Sequence, residues 1–276
     1  MQRTTTRAGV GRLAQFDGVT PLVRHRGLLW EFIQRNVELR HKGSHLGLIW
    51  SVLNPLLMLG LYVVVFGKLR DPNETKLTYA LSIFVGLTLF HFASEVLGVA
   101  PTVIISNPGF VKKVVFPLEI LPVAAVGASF VHFLITMGLA LGGVALFGPG
   151  LGWDVFWLPL IFAPFLMLTL GVAWAASAIG VFFRDIGPFT GFLSMALMFS
   201  SAIFIPVATI KDTPFAWSFL RFNPLLHASE LSRDVILRHE PLQSGPLLYL
   251  YAVGLASAFA GYWVFQKLRP TFADVL

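Results

Sequence analysis

The sequence predicts an all-α integral membrane protein with six transmembrane helices. Hydrophobic residues make up 56% of the 276 residues and charged residues only 12%, whereas soluble domains contain about 25% charged residues. The mean hydropathy of +0.76 agrees with this contrast. The apolar residues also gather into long runs, and a helix needs about 20 such residues to cross a bilayer. A chain of this length suits one helical bundle without a separate large soluble domain.

Residues 1–45 are predicted to form a cytoplasmic basic arm and an amphipathic helix. The arm, Met1–Arg26, is rich in arginine and has little apolar periodicity. In the helix, Leu28–Lys42, apolar residues at three- and four-residue steps share one face: Leu29, Phe32, Ile33 and Val37. This helix is expected to lie in the membrane interface, to pack on its own bundle, or both. The first long apolar run begins near Leu46, so no cleavable signal peptide is apparent and the arm is expected to be retained.

Residues 46–276 are predicted to form the six-helix transmembrane domain. If the N-terminus is cytoplasmic, the cytoplasmic loops hold more Lys and Arg than the outer loops. The positive-inside rule therefore favours cytoplasmic N- and C-termini. The predicted spans are Leu46–Phe66, Thr78–Ile105, Leu118–Phe147, Val155–Phe183, Ile186–Val207 and Pro246–Phe265.

The outer segment Ala208–Gly245 is too long for a simple turn. It contains the aromatic stretch Phe215–Leu220 and the largely apolar stretch Leu225–Leu237. Two short interfacial or re-entrant helices would explain this pattern, because non-helical backbone at membrane depth needs protein or water around it.

The segment Ser106–Pro122, here called the cationic loop, is a short polar interruption between two long apolar runs. Asn107-Pro108-Gly109 has turn composition, and Phe110–Phe116 would form one or two helical turns carrying Lys112 and Lys113. Spans hold this loop on both sides, which suits a contact with a partner that moves those spans. A second tight turn, Arg184-Asp185, joins the fourth and fifth spans and by itself indicates only a helical hairpin.

Missing motifs exclude other classes of protein. The sequence has no P-loop, no HExxH and no GxSxG, so the chain itself is not expected to hydrolyse nucleotides. It has no cysteines, which excludes disulfides and thiolate metal sites. Its net charge of +6 favours an anionic membrane surface over nucleic acid.

Glu95 is the one acidic residue inside a predicted span, with His91 one turn earlier on the same helical face. Because an intramembrane carboxylate is costly, a functional role is the default hypothesis. Two interpretations stay open: a polar wall of a transport path, or a Glu hydrogen-bonded to another helix. A proton relay is less favoured. His132 is expected to be a packed, hydrogen-bonded core residue.

Aromatic residues are abundant, with 26 Phe, 7 Trp and 5 Tyr. Most are expected to face lipid or the core, and belts at the interfaces are usual. A minority hypothesis is that some stack on the C–H faces of sugars along a glycan path. The candidates are Tyr62, Phe66, Phe84, Phe90, Phe92, Phe199 and Phe204.

Four segments in this order resemble the permease subunit of bacterial ABC exporters of polysaccharides, the O-antigen and teichoic-acid type. They are KGSHLGLIWSVLNPLL (Lys42–Leu57), NPGFVKKVVFPLEILP (Asn107–Pro122), GVFFRDIGPF (Gly180–Phe189) and FNPLLHASELSRDVIL (Phe222–Leu237). The resemblance covers about Arg24 to the C-terminus. The LRHKGSHLGLIW version looks closer to O-antigen and teichoic-acid permeases than to capsule permeases.

The resemblance implies a homodimer in the bacterial inner membrane that works with two copies of a separate ATPase subunit. ATP and Mg would bind that subunit, and no cofactor is expected on this chain. The coupling helix would be Asn107–Phe116, including Pro108, Phe110, Lys112 and Lys113, with Arg184 and Asp185 as a second contact. The first and fifth spans would flank the dimer seam and the path of a lipid-linked polysaccharide. Residues Ala208–Gly245 would form periplasmic helices.

Two alternatives remain on sequence grounds. An ABC permease for teichoic acid, capsule, lipid or drug would differ only in substrate. A membrane-embedded acyl- or glycosyltransferase would use Glu95, His91 or His132, but these residues lie nearer mid-span than a head-group reaction requires.

Overall fold

The computed structural model describes residues 20–41, 49–66, 75–112, 116–183 and 185–276, and these residues form helices and turns without any strand. Short 3₁₀ turns are formed by Ala100–Thr102, Trp153–Trp157 and Arg269–Thr271, and a π-helical turn is formed by Asp234–Arg238. The helices are α1 Thr20–Arg24, α2 Arg26–His41, α3 Ile49–Phe66, α4 Lys76–Val99, α5 Pro108–Val111, α6 Ile120–Phe147, α7 Leu158–Phe182, α8 Ile186–Ser200, α9 Val207–Lys211, α10 Pro214–Leu220, α11 Pro224–Arg233, α12 Ser244–Leu268 and α13 Phe272–Val275.

Four helical segments in the described ranges are long and apolar enough to cross a membrane. They are Lys76–Thr102, Ile120–Phe147, Trp153–Phe182 and Ser244–Val275, which correspond to the predicted second, third, fourth and sixth spans. The predicted first and fifth spans correspond to the shorter apolar helices α3 and α8.

The fifth predicted span is interrupted. Helix α8 ends at Ser200, and Ala202 has a left-handed φ of 52°, although the apolar sequence continues to Val207. Residues 201–206 therefore form a non-helical connection, here called the α8 break.

Helix α4 lies at the centre of the bundle. In the most apolar part of the α4 segment 72% of the residues are buried, whereas in that of the α12 segment 17% are buried. It packs against α6, α8 and α11. Helices α7 and α12 form the closest pair, because a side chain on Gly261 would meet the backbone of Gly171, and one on Gly171 would meet the backbone of Ser257. Small residues of this kind let membrane helices approach at backbone distance.

The amphipathic helix α2 packs on α6. Phe32 is buried, whereas Trp30 is 56% exposed. A methyl group on Gly127 of α6 would lie only 2.7 Å from Cδ1 of Ile33, so the missing side chain makes room for α2. Docking on the bundle, one of the two placements expected from the sequence, is therefore present.

The C-terminal end of the chain packs beside the start of α6. The buried Glu119, whose side chain is 3% exposed, lies just before α6, and its Oε2 is 3.0 Å from Nη1 of Arg269. Trp174 Nε1 of α7 donates a hydrogen bond to the Glu119 carbonyl oxygen. The buried rings of Phe265 and Phe272 contact each other on the same side of the bundle.

Candidate coupling surface and transport path

The cationic loop has a short helix at its tip. Helix α5 is a single turn that begins after Asn107, with Pro108 at its first position, where proline is favoured because its φ is already helical. Lys112 ends this turn and is exposed. Lys113 lies outside the described residues.

Aromatic rings fasten the loop to the bundle. The ring of Phe110 lies 5.3 Å from that of Phe32 in α2 and 4.6 Å from that of Phe116. Phe32 and Phe116 are 5.8 Å apart. Aromatic packing of this kind adds to the area that the rings bury. The loop thus packs against α2 through an aromatic cluster, while Lys112 remains exposed.

Asn107 connects the loop to two elements. Its Nδ2 donates a hydrogen bond of 2.8 Å to the carbonyl oxygen of Val103. Its Oδ1 accepts a hydrogen bond of 3.3 Å from Nη2 of Arg35 in α2. Helix α2, the loop and the residues that follow α4 are therefore linked directly.

The second predicted contact lies close to the base of the loop. Asp185 is exposed at the start of α8, and Arg184 lies outside the described residues. Both α7 and α8 approach the 3₁₀ turn Ala100–Thr102 that leads into the loop. At Gly180 in α7, an added side chain would meet the backbone of Pro101. The cationic loop and the start of α8, the two segments predicted to contact the ATPase, thus adjoin the same 3₁₀ turn.

Glu95 is held by residues from two other helices rather than by His91. Its Oε1 pairs with Nη1 of Arg40 in α2, and its Oε2 lies 3.1 Å from Nδ1 of His132 in α6. Arg40 also donates a hydrogen bond of 3.0 Å to Oγ of Ser129. The ring of His91 instead lies 5.3 Å from that of its neighbour Phe90. His132 is hydrogen-bonded as expected, but its side chain is 30% exposed.

This network borders a cavity of about 370 Å³ between α2, α3, α4 and α6. Helix α3 contributes Trp50, Ser51 and Asn54 to its wall. Of the two interpretations of Glu95, hydrogen bonding to another helix is observed, and the same carboxylate also lines a cavity. The two interpretations are therefore compatible.

The aromatic path candidates fall into two groups. Phe84, Phe90 and Phe92 are buried in the core of the bundle, so in this structure they serve as packing residues. Tyr62, Phe199 and Phe204 meet near the ends of α3 and α8: the ring of Phe204 lies 4.9 Å from Tyr62 and 6.5 Å from Phe199.

Within the second group, Phe199 is 54% exposed and Phe204 is buried. The hydroxyl of Tyr62 donates to Sδ of Met198 at 3.6 Å. Phe66 is the last residue of α3, and its side chain lies outside the described part.

Arg233 of α11 is a buried cationic residue for which the sequence predicts no role. It is 3% exposed. Its Nη1 and Nη2 donate hydrogen bonds of 2.9 Å to the carbonyl oxygens of Ala202 and Ile203, and its Nε donates one of 3.0 Å to that of Ser82. Nη1 also lies 2.6 Å from Oε1 of Glu230.

The side chain of Arg233 thus links the α8 break to α4 and α11, and these contacts are here called the clamp. Two more side chains form hydrogen bonds with the same region. The Tyr79 hydroxyl donates a 2.9 Å hydrogen bond to the carbonyl oxygen of Phe204. Nδ2 of Asn223 donates to the hydroxyls of Ser200 and Ser201 at 2.8 and 3.0 Å. A cationic residue within an apolar stretch is the sequence signal that points to such a site.

Charged residues also border a cavity of about 860 Å³ beside α11 and the π-helical turn that follows it. Glu230, Asp234 and Arg238 lie in its wall, and Arg238 pairs with both carboxylates. Burial raises the pKa of Asp234 against the opposing effect of Arg238. Burial acts to lower the pKa of Arg238, but the two carboxylates together raise it.

Several helices that are apolar and long enough to cross a bilayer define a multi-pass membrane protein. A family model for the ABC-2 type transporter matches residues 27–237. The chain belongs to this family.

Two relatives are named O-antigen export system permease protein RfbA. The chain is 28% identical to the one from Myxococcus xanthus over 93% of this chain and 98% of the relative. It is 29% identical to one from Klebsiella pneumoniae, over 90% of this chain and 95% of that relative. The polysialic acid transport protein KpsM of Escherichia coli is 23% identical over 84% and 90%.

Proposed function

We propose that this chain is the membrane subunit of an ABC exporter that moves lipid-linked polysaccharide, O-antigen in particular, across the bacterial inner membrane. The names of its relatives support this substrate class, and the O-antigen permeases exceed the polysialic acid transporter in both identity and coverage. ATP hydrolysis is assigned to a separate ATPase subunit, present in two copies, which would also bind the Mg ion.

The proposed topology has six spans with both termini in the cytoplasm. Helices α3 and α8 supply the first and fifth spans. Because α8 has 15 residues, it extends about 22 Å, which is less than the roughly 30 Å of the hydrocarbon core. The α8 break and the outer helices α9 and α10 would fill the remaining depth as re-entrant structure. The clamp from Arg233 supports this, because backbone at that depth needs internal hydrogen bonds.

The proposed assembly is a homodimer whose seam is formed by α3 and α8. Both helices are poorly covered in the described protomer. On α8, Phe189, Phe192 and Met195 are exposed, and on α3, Leu57 and Val64 are exposed. The exposed Phe199 would face the path between the two copies, together with the partly buried Tyr62. We place the polysaccharide against these rings.

The cationic loop is the proposed coupling element. The observation that supports this role most is that Phe110 is packed whereas Lys112 is exposed. Phe110 packs on Phe32 of α2 and on Phe116, which lies in the loop four residues before α6, whereas Lys112 is exposed. A partner that binds the exposed residues would therefore displace α2 directly and α6 through the backbone that follows Phe116. Asp185 and the two unplaced cations, Lys113 and Arg184, complete the proposed contact.

The test is the activity of the cognate ATPase reconstituted with this permease and with the variant Lys112→Glu. We expect the variant to insert and fold normally but to lose association with the ATPase or stimulation of its activity. The matched control is Lys267→Glu, an exposed charge reversal on α12. Equal behaviour of both variants and the native chain would contradict the coupling role.

The substrate is tested separately by restoring surface O-antigen in a strain that lacks its own permease. The native chain and its ATPase should restore it. Unchanged intracellular accumulation of the polymer, with a folded and ATPase-associated permease, would point to another substrate of the same family.

A further inference from the structure

A groove of about 430 Å³ runs between α2 and the elements that lead into the cationic loop. Its lining includes the apolar residues Val99, Val103 and Leu121. It also includes the polar residues Arg35, Ser106 and Asn107. A lining of both kinds suits a molecule that has a polar head and an apolar body.

Arg35 supplies a cation at the polar end. Its guanidinium lies 5.2 Å from the ring centre of Phe32 and donates to the neutral amide oxygen of Asn107. Among the described residues no carboxylate lies within ion-pairing distance of Arg35. Arg40, at the other end of the groove, is already paired with Glu95. Arg35 is therefore the arginine of this groove that makes no ion pair with a described carboxylate.

The groove continues into the 370 Å³ cavity beside Glu95. The two share Arg40, Val99 and Ala128 as lining residues. Beyond that junction the lining includes Val131 and Ile135. A chain attached to a head group at Arg35 would thus find apolar surface along α6.

We propose that this groove binds the phosphate head group of a membrane amphiphile, with Arg35 as its principal ligand and Ser106 and Asn107 as neighbours. Arginine suits phosphate because its planar guanidinium presents several donors at once. The inference rests on the proposed topology, which puts α2 at the cytoplasmic leaflet, where anionic lipids attract basic residues. The phosphate belongs either to a bilayer phospholipid or to the lipid carrier of the proposed substrate, for which undecaprenyl phosphate serves as the probe.

The experiment measures lipid binding to the delipidated full-length permease in detergent, without the ATPase, by native mass spectrometry. The probes are phosphatidylglycerol, undecaprenyl phosphate, palmitate and diacylglycerol. We expect one or both phosphate-bearing probes to bind and the other two not to bind. Binding of phosphatidylglycerol alone identifies the bilayer as the source, and binding of undecaprenyl phosphate alone identifies the carrier.

Two variants test the assignment of residues. Arg35→Gln should weaken phosphate binding by about tenfold, the scale of a charged hydrogen bond. Asn107→Asp should weaken it as well, because the new carboxylate would pair with Arg35. The matched control, Arg26→Gln, removes an exposed charge at the start of α2, outside the groove, and should change affinity by less than about twofold.

Native affinity in both groove variants would overturn the proposal, as would palmitate binding with the same dependence on Arg35. The assay contains no export step and no ATPase. A failure of the exporter hypothesis would therefore leave a positive binding result intact, and a failure of binding would leave export unaffected.

Discussion

Nη1 of Arg233 donates a 2.9 Å hydrogen bond to the carbonyl oxygen of Ala202, just beyond the end of α8. The two residues are 31 positions apart in the chain, and Ala202 has a left-handed backbone. Because the guanidinium also reaches Ile203 and Ser82, one side chain links α11, the α8 break and α4. This link predicts a large dependence of stability on Arg233.

Arg233→Ala should lower the free energy of unfolding by about 3–5 kcal/mol, the usual effect of breaking a buried ion pair. It leaves Oε1 of Glu230 and three backbone carbonyls without the donor that Arg233 supplies, while Arg238 still reaches Oε2 of Glu230 at 3.4 Å. Arg233→Lys should lower it less, because the charge stays but one nitrogen cannot reach all the acceptors. Thermal unfolding in detergent measures both. Arg26→Ala is the control, since that side chain is exposed at the start of α2 and exposed substitutions usually change stability by less than about 0.5 kcal/mol. Equal losses at both arginines would contradict the clamp.

Gly86 provides the space that Arg233 occupies. A methyl group at this position would lie 2.6 Å from Nη2 of Arg233. Gly86→Ala should therefore cost about 1–3 kcal/mol, as overpacking does. Gly98→Ala on the same helix meets no atom within 4 Å and should be neutral or stabilising by up to about 1 kcal/mol. The midpoint of thermal unfolding distinguishes them, and a neutral Gly86→Ala would mean that the guanidinium relocates at little cost.

The Arg40–Glu95 pair should show energetic coupling between α2 and α4. A double-mutant cycle with Arg40→Ala and Glu95→Gln should give a coupling free energy of about 1–3 kcal/mol, because each single change leaves a partner unsatisfied. Glu38→Gln, an exposed substitution on α2, serves as the control. Additive effects of Arg40→Ala and Glu95→Gln would show that the two side chains contribute independently.

Export by the Glu95→Gln variant separates the two interpretations of this carboxylate. A purely structural Glu95 predicts that export falls only as far as the amount of folded permease falls. A wall of the path predicts a further loss of export per folded molecule. Surface polysaccharide normalised to permease in the membrane is the measurement, with Glu38→Gln treated in the same way.

The free energy of unfolding should depend on the ion pair between Glu119 and Arg269. The carboxylate is buried and the guanidinium is 34% exposed, so Arg269→Ala leaves an unpaired acceptor at a cost of about 1–3 kcal/mol. Combining it with Glu119→Gln should recover part of the loss, because the amide carries no charge. Thermal unfolding of the two single variants and the double variant tests this. No recovery in the double variant would show that Arg269 acts through packing instead.

The sequence predicts some parts of this fold well because they depend on composition alone. The predicted second span, Thr78–Ile105, agrees to within a few residues with the observed helical segment Lys76–Thr102. The apolar face around Phe32 likewise predicts which side of α2 is buried. Run length and periodicity are local properties, so a sequence without coordinates contains them.

Other parts depend on pairs of residues that lie far apart in the chain. The apolar run continues to Val207, but α8 ends at Ser200 because α4 and α11 supply donors to the following carbonyls. Spacing on one helix puts His91 beside Glu95, whereas the observed partners are Arg40 and His132. Cross-helix pairing of this kind cannot be read from periodicity.

The close packing of α7 and α12 has a mechanical consequence. Where the Gly261 and Gly171 backbones meet, no layer of side chains remains between the two helices that could shear or rotate. Helices α7 and α12 should therefore move together as one rigid unit. Because α7 also meets the backbone of Pro101 at Gly180, a displacement of the base of the cationic loop should move α7 and α12 together.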